Sequence, residues 1–365
     1  MGFRCGIVGL PNVGKSTIFN ALTAAGIEAS NYPFCTIEPN VGVIAVPDPR
    51  LDRLAAMVAT KNKVPARLEF VDIAGLVKGA SQGEGLGNQF LGHIRQVDAI
   101  AHVVRCFEDE NIVHVEGNVD PLRDREVVDT ELAIADLDTV ERRLAKAAQR
   151  AKTGDKEMRQ QAIVLEKLRD LLDSGRPARL YSPENDNDRR LLRELCLLTA
   201  KPVLYVANVS EEDAATGNRH VRALEQAAAD ENARVVVISG AIEEEISSLA
   251  PEEKQEFLQD LGLEEPGLNR LIRAGYDLLG LITFFTVGEK ETKAWTIPRN
   301  TTAARAAGTI HTDFERGFIR AEVIGYDQFV QYGGEQQAKD KGLMRLEGKE
   351  YLVQDGDCIH FRFNV

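Results

Sequence analysis

The stretch Gly9-Leu-Pro-Asn-Val-Gly-Lys-Ser-Thr17 constrains this chain more than any other. It fits G-x-x-x-x-G-K-[ST], with Gly9, Gly14, Lys15 and Ser16 in register. Such a run is a cradle for phosphate. Its glycines let backbone N–H groups close around an anion, and the helix that follows offers its positive end. Lys15 is placed to reach β and γ phosphates, and the Ser16 hydroxyl to ligate Mg²⁺. The flanks agree, since Phe3–Val8 reads as a short apolar strand and Ser16–Ala25 as a helix. A chance match in a glycine turn would lack that strand–loop–helix context.

The 365 residues leave room for two or three domains and a sizeable core. An apolar share of 44% and a charged share of 28% are ordinary for a soluble globular protein. No apolar run approaches membrane-spanning length and no signal peptide precedes the first strand, so a membrane partner is not expected. The five cysteines are scattered without a C-x-x-C pair. That argues against structural metal or disulfides and for a reducing cytoplasm. A net charge of −13 argues against a general nucleic-acid coat, and DNA is not an expected partner.

Beyond the first helix, Ala29–Pro39 reads as a loop with a single threonine, Thr36. A loop threonine that closes on the γ phosphate and Mg²⁺ would make the loop's order depend on the triphosphate. The alternative is a solvent-exposed threonine. Val41–Val46 is a strand candidate, Pro47–Pro49 a turn and Leu51–Ala59 a helix. Ala66–Ile73 is another strand, ending in Asp72-Ile-Ala-Gly75. An acid at a strand end suits a water-mediated hold on Mg²⁺, and the Gly75 N–H suits the γ phosphate. Leu76 follows, where Ras-like GTPases place the glutamine that orients the attacking water. Leucine cannot hydrogen-bond, so another group must position that water or turnover is slow. Glycines 79, 83, 85 and 87 predict a mobile loop. His93, His102 and His114 are the nearest histidines. His102 reads as structural, on an apolar strand. His114 follows the loop Glu108–Asn111 and is the candidate to swing inward and position water, the alternative being a surface-loop residue.

From Val127 to Ala151 there is neither glycine nor proline, and Ala133, Leu137, Val140, Leu144, Ala147 and Ala151 recur at steps of four and three. That is a coiled-coil seam. A turn at Gly154 and a second helix carrying Met158, Leu165, Leu168 and Leu172 predict an antiparallel hairpin. Residues 142–169 hold nine Lys/Arg against three Asp/Glu. Positive charge gathered on one protruding element of an acidic chain points to RNA, ribosomal RNA or the large subunit, as partner; plain solubility is the alternative.

Arg189–Thr199 is a helix candidate and Pro202–Ala207 a strand, followed by Asn208-Val-Ser-Glu211. A GTPase would place Asn-Lys-x-Asp here, its aspartate accepting from guanine N1–H and the N2 amino group. Here the lysine is Val209 and the aspartate is Glu211, one methylene longer. Adenine offers an acceptor at N1, so a carboxylate there gains nothing. The pattern argues against tight guanine specificity and leaves ATP open, read by backbone groups near Val209. Arg234–Ile238 is the last strand, and Ser239-Gly-Ala241 a loop to close over the base.

Taken together, Gly9–Ser16, Asn31-Tyr-Pro-Phe-Cys-Thr-Ile-Glu-Pro39, Asp72-Ile-Ala-Gly-Leu-Val-Lys-Gly79 and Asn208–Glu211 resemble the Obg-like ATPase family, bacterial YchF type, and the resemblance runs from Met1 to Val365. It implies an α/β P-loop NTPase fold of Ras-like, Obg type with a helical coiled-coil insertion, ATP preferred over GTP, slow hydrolysis, and association with the ribosome. It also implies that Asn12, Val13, Gly14, Lys15, Ser16 and Thr17 bind phosphates, that Ser16 and Thr36 ligate Mg²⁺, and that Val209 lies against adenine. Asn12 is similar to the P-loop asparagine of potassium-stimulated relatives, which implies K⁺ as an activating ion. The expected division is 1–125 and 196–280 for the P-loop domain, 126–195 for the helical insertion and 281–365 for a C-terminal module. In that module Leu281–Val287, Lys293–Pro298 and Cys358–Val365 read as strands, Thr301–Ala307 as a helix ended by Gly308, and Tyr351–Asp357 as a turn. It resembles the β-grasp TGS domain, and His311–Gly317 is similar to a hairpin of that module. Trp295, Phe314, Phe318 and Phe361 read as core packing or as a binding face. Two further functions stay open: a GTPase of the wider Obg class, and a non-hydrolysing nucleotide-binding translation regulator.

Overall fold

A computed structural model describes residues 2–24, 40–73 and 86–364. The expected sites at Thr36, Gly75 and Leu76, and the glycines at 79, 83 and 85, lie outside the described residues. Contacts divide the chain into two units, one drawn from Phe3–Val43 and Glu69–Gly275, the other from Ile44–Leu68 and from Tyr276 onward.

The first unit is organised on a sheet. In chain order its elements begin with β1 (Arg4–Val8), α1 (Lys15–Ala24) and β2 (Val41–Ala45). Then α2 (Pro49–Met57) and β3 (Asn62–Val64) depart to the other unit. The first unit resumes with β4 (Arg67–Asp72), α3 (Leu86–Arg95), β5 (Ala99–Arg105), α4 (Pro121–Ala151), α5 (Lys156–Asp173), α6 (Asp186–Leu195), β6 (Val203–Asn208), α7 (Arg219–Ala229), β7 (Arg234–Ile238), α8 (Gly240–Ser248), α9 (Pro251–Asp260) and α10 (Gly267–Leu278). The strand order is β2-β4-β1-β5-β6-β7, and β1 pairs parallel with both β4 and β5, β5 with β6, and β6 with β7. Every residue of β5 and of β6 is buried. Strands covered on both faces read as continuous apolar runs, which makes them legible in the sequence. Parallel pairing aligns the strand ends, so Ile7 sits beside Asp72 and Arg105 beside Asn208.

Helices α4 and α5 pack along the predicted seam. Val140, Ala147, Val164, Leu165, Leu168 and Leu172 are buried there, with Ala133, Leu137 and Leu144 against them. Asp155 caps α5 by accepting from the Met158 N–H. Asp136 anchors the hairpin's base: it is buried and accepts from Leu198 N, Thr199 N and Thr199 Oγ1 at 2.8, 2.8 and 2.6 Å. That contact corrects the helix expected over 189–199. The helix starts earlier because Asn185 caps it, and stops at Cys196, whose φ is +48°. The N–H groups of Leu198 and Thr199 turn to Asp136 instead of continuing the helix.

The second unit contains α2 and β3 together with β8 (Leu281–Thr286), β9 (Glu291–Pro298), α11 (Ala303–Ile310), α12 (Thr312–Arg316), β10 (Phe318–Gly325), α13 (Tyr326–Tyr332), α14 (Glu335–Asp340), β11 (Arg345–Glu347) and β12 (Asp357–Phe363). Its sheet runs β11-β10-β12-β8-β9-β3, mixed in direction. Residues 44–68, expected inside 1–125, thus supply a strand and a helix to this unit. The expected turn at Pro47–Pro49 is the start of α2: Asp48 accepts from Arg50 N and Pro49 takes the first helical position. Phe284, Ile297, Val323, Ile359 and Phe361 form the core under α11, with Trp295, Phe314 and Phe318 packed against it.

Two expectations are corrected here. Gly308 does not end α11 but lies inside it, where a Cβ would meet a Glu315 carboxylate oxygen at 2.5 Å. Its glycine serves close approach rather than termination. His311–Gly317 is not a hairpin but the short α12, with His311 Nδ1 accepting from Asp313 N at 3.2 Å.

Candidate functional site

The glycine loop leaves the end of β1 and turns into α1. Asn12 has φ +60° and Gly14 φ +93°, left-handed conformations that a tight anion cradle needs. A Cβ on Gly14 would meet Asn208 Nδ2 at 2.2 Å, so space and conformation both demand glycine. Lys15 is buried, and its Nζ donates to the Leu10 carbonyl at 2.6 Å. Burial pulls its ammonium down to about 8, opposed by the charge of Asp72. Asn12, Gly14, Lys15, Ser16 and Thr17 all line one cleft. Val13 is buried behind them.

Asp72 ends β4, next to β1. Burial raises its carboxyl, and Lys15 lowers it in turn. Its Oδ1 is buried with no hydrogen-bond partner among the described residues. A buried carboxylate oxygen without a donor is what a hydrated cation would satisfy. Together with the exposed Ser16 hydroxyl, the residues present therefore fit Mg²⁺ beside a phosphate. Among the described residues no group of three or more His, Cys, Asp or Glu makes a metal cage of its own.

The cleft, about 1160 Å³, runs on to a second wall built from the ends of β6 and β7. Asn208 is buried, and its side chain bridges the loops: Nδ2 donates to Val13 O and Oδ1 accepts from Gly240 N, each at 2.9 Å. These two bonds use one N–H and one lone pair of the amide, so Asn208 shapes the pocket and keeps a second N–H at the cleft that it lines. Val209 is buried against the cleft, but its N–H already donates to Ile238 O at 2.8 Å. That N–H is therefore not the backbone group free to read a base. Ser239-Gly-Ala241 lines the cleft as the start of α8 rather than as a free loop. Glu108, Asp109, Glu211, Glu212, Asp213 and Glu244 make this end acidic.

The structure pairs His114 with Asp124. It does not line the cleft; its ring is buried, with Nε2 2.7 Å from Asp124 Oδ2 and Nδ1 accepting from Glu116 N at 3.1 Å. It is not a surface residue either. His93 is exposed in the last turn of α3. His102 is buried against Tyr205, and burial pushes its imidazolium down to about 3, as a structural histidine requires. Sequence reasoning missed Arg105. Its guanidinium donates to the carbonyls of Phe107, Ile112 and Asp109 and so holds the loop that forms one lip of the cleft. A charged residue closing an otherwise apolar strand was the available signal. Asn218 was also missed; its Nδ2 reaches Cys106 O and Asp213 Oδ2, both at 2.7 Å.

Residues 4–136 match a family described as "50S ribosome-binding GTPase", and residues 281–364 match YchF-GTPase_C, described as a protein of unknown function. A protein of Haemophilus influenzae named ribosome-binding ATPase YchF is 58% identical over 365 residues, covering 100% of both chains. This chain belongs to the YchF family. A Bacillus subtilis YchF of the same name is 55% identical over 367 residues, again covering 100% of both chains. The solved YchF GTPase of Schizosaccharomyces pombe matches with a TM-score of 0.89 at 40% identity, covering 99% of this chain and 98% of its own. The YchF membership and the P-loop α/β fold expected from the motifs both hold. Among the described residues of this YchF chain, no helix is long and apolar enough to cross a membrane.

Proposed function

We propose that this chain is an Mg²⁺-dependent ATPase that prefers ATP to GTP and acts as a nucleotide-controlled switch on the ribosome in the cytoplasm. The coarser part follows from the family: its relatives are named ribosome-binding ATPases, and its first domain matches a ribosome-binding GTPase family. The observation that carries the ATP preference is the wall after β6. Asn208 is engaged on both sides by the fold, and the cleft beside it presents Val209 and Glu211 in place of a lysine and an aspartate. An apolar residue there accepts a purine face, and the longer, exposed acid is poorly placed for the paired donors of guanine.

In this reading Asn12–Thr17 and the Gly75 N–H hold the phosphates. Ser16 and Thr36 ligate Mg²⁺, with Asp72 holding it through water, and the ion offsets charge on the phosphates. His114 positions the attacking water after leaving Asp124, since Leu76 cannot. Residues 1–125, apart from 44–68, form the nucleotide domain with 196–280, residues 126–195 the docking hairpin and 281–365 a TGS-like module that 44–68 join. The basic hairpin supports ribosomal RNA as its target. Arg142, Arg150 and Lys167 are well exposed, although each pairs with an acid. Exposed pairs of this kind are weak and exchange readily for phosphate. K⁺ enters through Asn12, and equal turnover in KCl and NaCl at equal ionic strength removes it.

The deciding experiment is equilibrium binding of fluorescent ATP and GTP analogues with Mg²⁺ to the wild type and to Val209→Lys with Glu211→Asp. ATP preference that moves toward GTP in the double variant is the expected result. GTP preference in the wild type makes the chain an Obg-class GTPase. Binding without single-turnover product release makes it a non-hydrolysing regulator.

A further inference from the structure

Two residues join the phosphate loop to the base of the long helix α4. Asn12 Nδ2 donates to the carbonyl of Val113 at 3.2 Å. The next residue, His114, meets Asp124 in the first turn of α4, their side chains 4% and 2% exposed. Because His114 Nδ1 accepts from the Glu116 N–H, the ring proton sits on Nε2 and is donated to Asp124 Oδ2. Both ring nitrogens are therefore in use. Asp124 Oδ1 is held separately by Arg123, whose Nε and Nη2 lie at 3.3 and 3.0 Å. If His114 leaves, Asp124 keeps a cationic partner. Upstream, Arg105 clamps the loop as far as Ile112, so movement is confined to the residues that follow. Val113 is 75% exposed, and Gly117 has φ +83° with open space around it.

We propose that Asp124 is a positioning residue for hydrolysis: it parks the His114 ring away from the cleft, and its release couples nucleotide state to α4. The inference rests on the reading that His114 orients the attacking water. A ligand in the cradle competes for Asn12, frees the Val113 carbonyl and lets the segment from Val113 to Gly117 turn. The ring then leaves a buried, charged acceptor, which sets the parked state in excess by roughly ten-fold or more. Slow intrinsic turnover follows from that excess rather than from Leu76 alone. The same exchange alters the first turn of α4, the helix that continues into the basic hairpin.

The test compares single-turnover ATP hydrolysis in the wild type, Asp124→Asn, His114→Ala and the double variant, with circular dichroism to confirm folding. Asparagine still accepts from Nε2–H but without charge, so Asp124→Asn should raise the rate roughly ten-fold. The same change should have no effect once His114 is alanine. An Asp124→Asn rate that is unchanged or lower overturns the parking role, even when His114→Ala is slow. A His114→Ala rate equal to wild type instead removes the water-positioning reading itself. If Asp124→Asn does not fold, ¹⁵N spectra of the wild-type His114 ring decide: the Nε2 signal should shift when a non-hydrolysable ATP analogue binds with Mg²⁺, and an unmoved signal overturns the proposal.

Discussion

Asn208 Nδ2 donates to the Val13 carbonyl at 2.9 Å and so ties the phosphate loop to a residue 195 positions away. Its Oδ1 holds the first amide of α8 in the same way. One buried amide therefore sets the distance between the phosphate cradle and the wall against which a base would lie. Asn208→Ala leaves a buried N–H and a buried C=O unpaired, at a cost of about 1–3 kcal/mol each. Nucleotide affinity should fall at least ten-fold in a fluorescence titration. Near-wild-type affinity would show that the loops hold their spacing without it.

Gly14→Ala attacks the same junction from the other side. The new methyl meets Asn208 Nδ2 at 2.2 Å, on a backbone at φ +93°. Loss of measurable nucleotide binding is expected with the far-ultraviolet spectrum unchanged. Retained binding would mean that the cradle tolerates a shift of β6.

Lys15 links binding to pH. Its folded-state pKa, about 8, lies below the ordinary 10.5 because burial outweighs the attraction of Asp72. Between those values the unfolded chain binds more protons, so stability of the ligand-free protein rises with pH from about 8 to 10.5. The gain has an upper bound of about 3 kcal/mol and should vanish in Lys15→Met. Phosphate restores the charge. Nucleotide binding at a pH just above 8 should therefore take up a proton, visible as a binding enthalpy that changes with the buffer's ionisation enthalpy. Identical enthalpies in two such buffers would contradict the assignment.

Asp136→Ala should loosen the helical hairpin. Three donors converge on that buried carboxylate, and removing it strands the Leu198 and Thr199 amides. A loss of about 3 kcal/mol is expected in urea unfolding. Hydrogen exchange should quicken first around residues 195–200, and uniform exchange would disprove the anchoring role.

In the second unit, Gly317→Ala places a methyl 2.1 Å from the Asn364 carbonyl oxygen. Backbone cannot yield as a long side chain can, so a loss of about 1–3 kcal/mol follows. A melting temperature equal to wild type would show that β12 shifts freely at its end.

Local chemistry is readable where a few adjacent residues decide the outcome. The glycine loop, the largely apolar strands β5 and β6, and the seam of α4 and α5 are all legible in the residues alone, because period and composition report burial directly. Helix ends are less so: α2 begins two residues ahead of its expected start because a cap and a proline outweigh an apparent turn, and α12 is five residues long.

The amino-acid order by itself determined the phosphate loop, the acid at the end of β4, the substituted motif after β6 and the family. Each is a run of neighbouring residues whose spacing the chemistry dictates. Only the tertiary structure decided that Asn208 bridges Val13 and Gly240, that Arg105 holds the lip of the cleft, that His114 is turned to Asp124, and that residues 44–68 join the second unit. Those outcomes depend on which strand lies beside which and on where a buried polar group finds its partner. Neither is written in any local stretch of the chain.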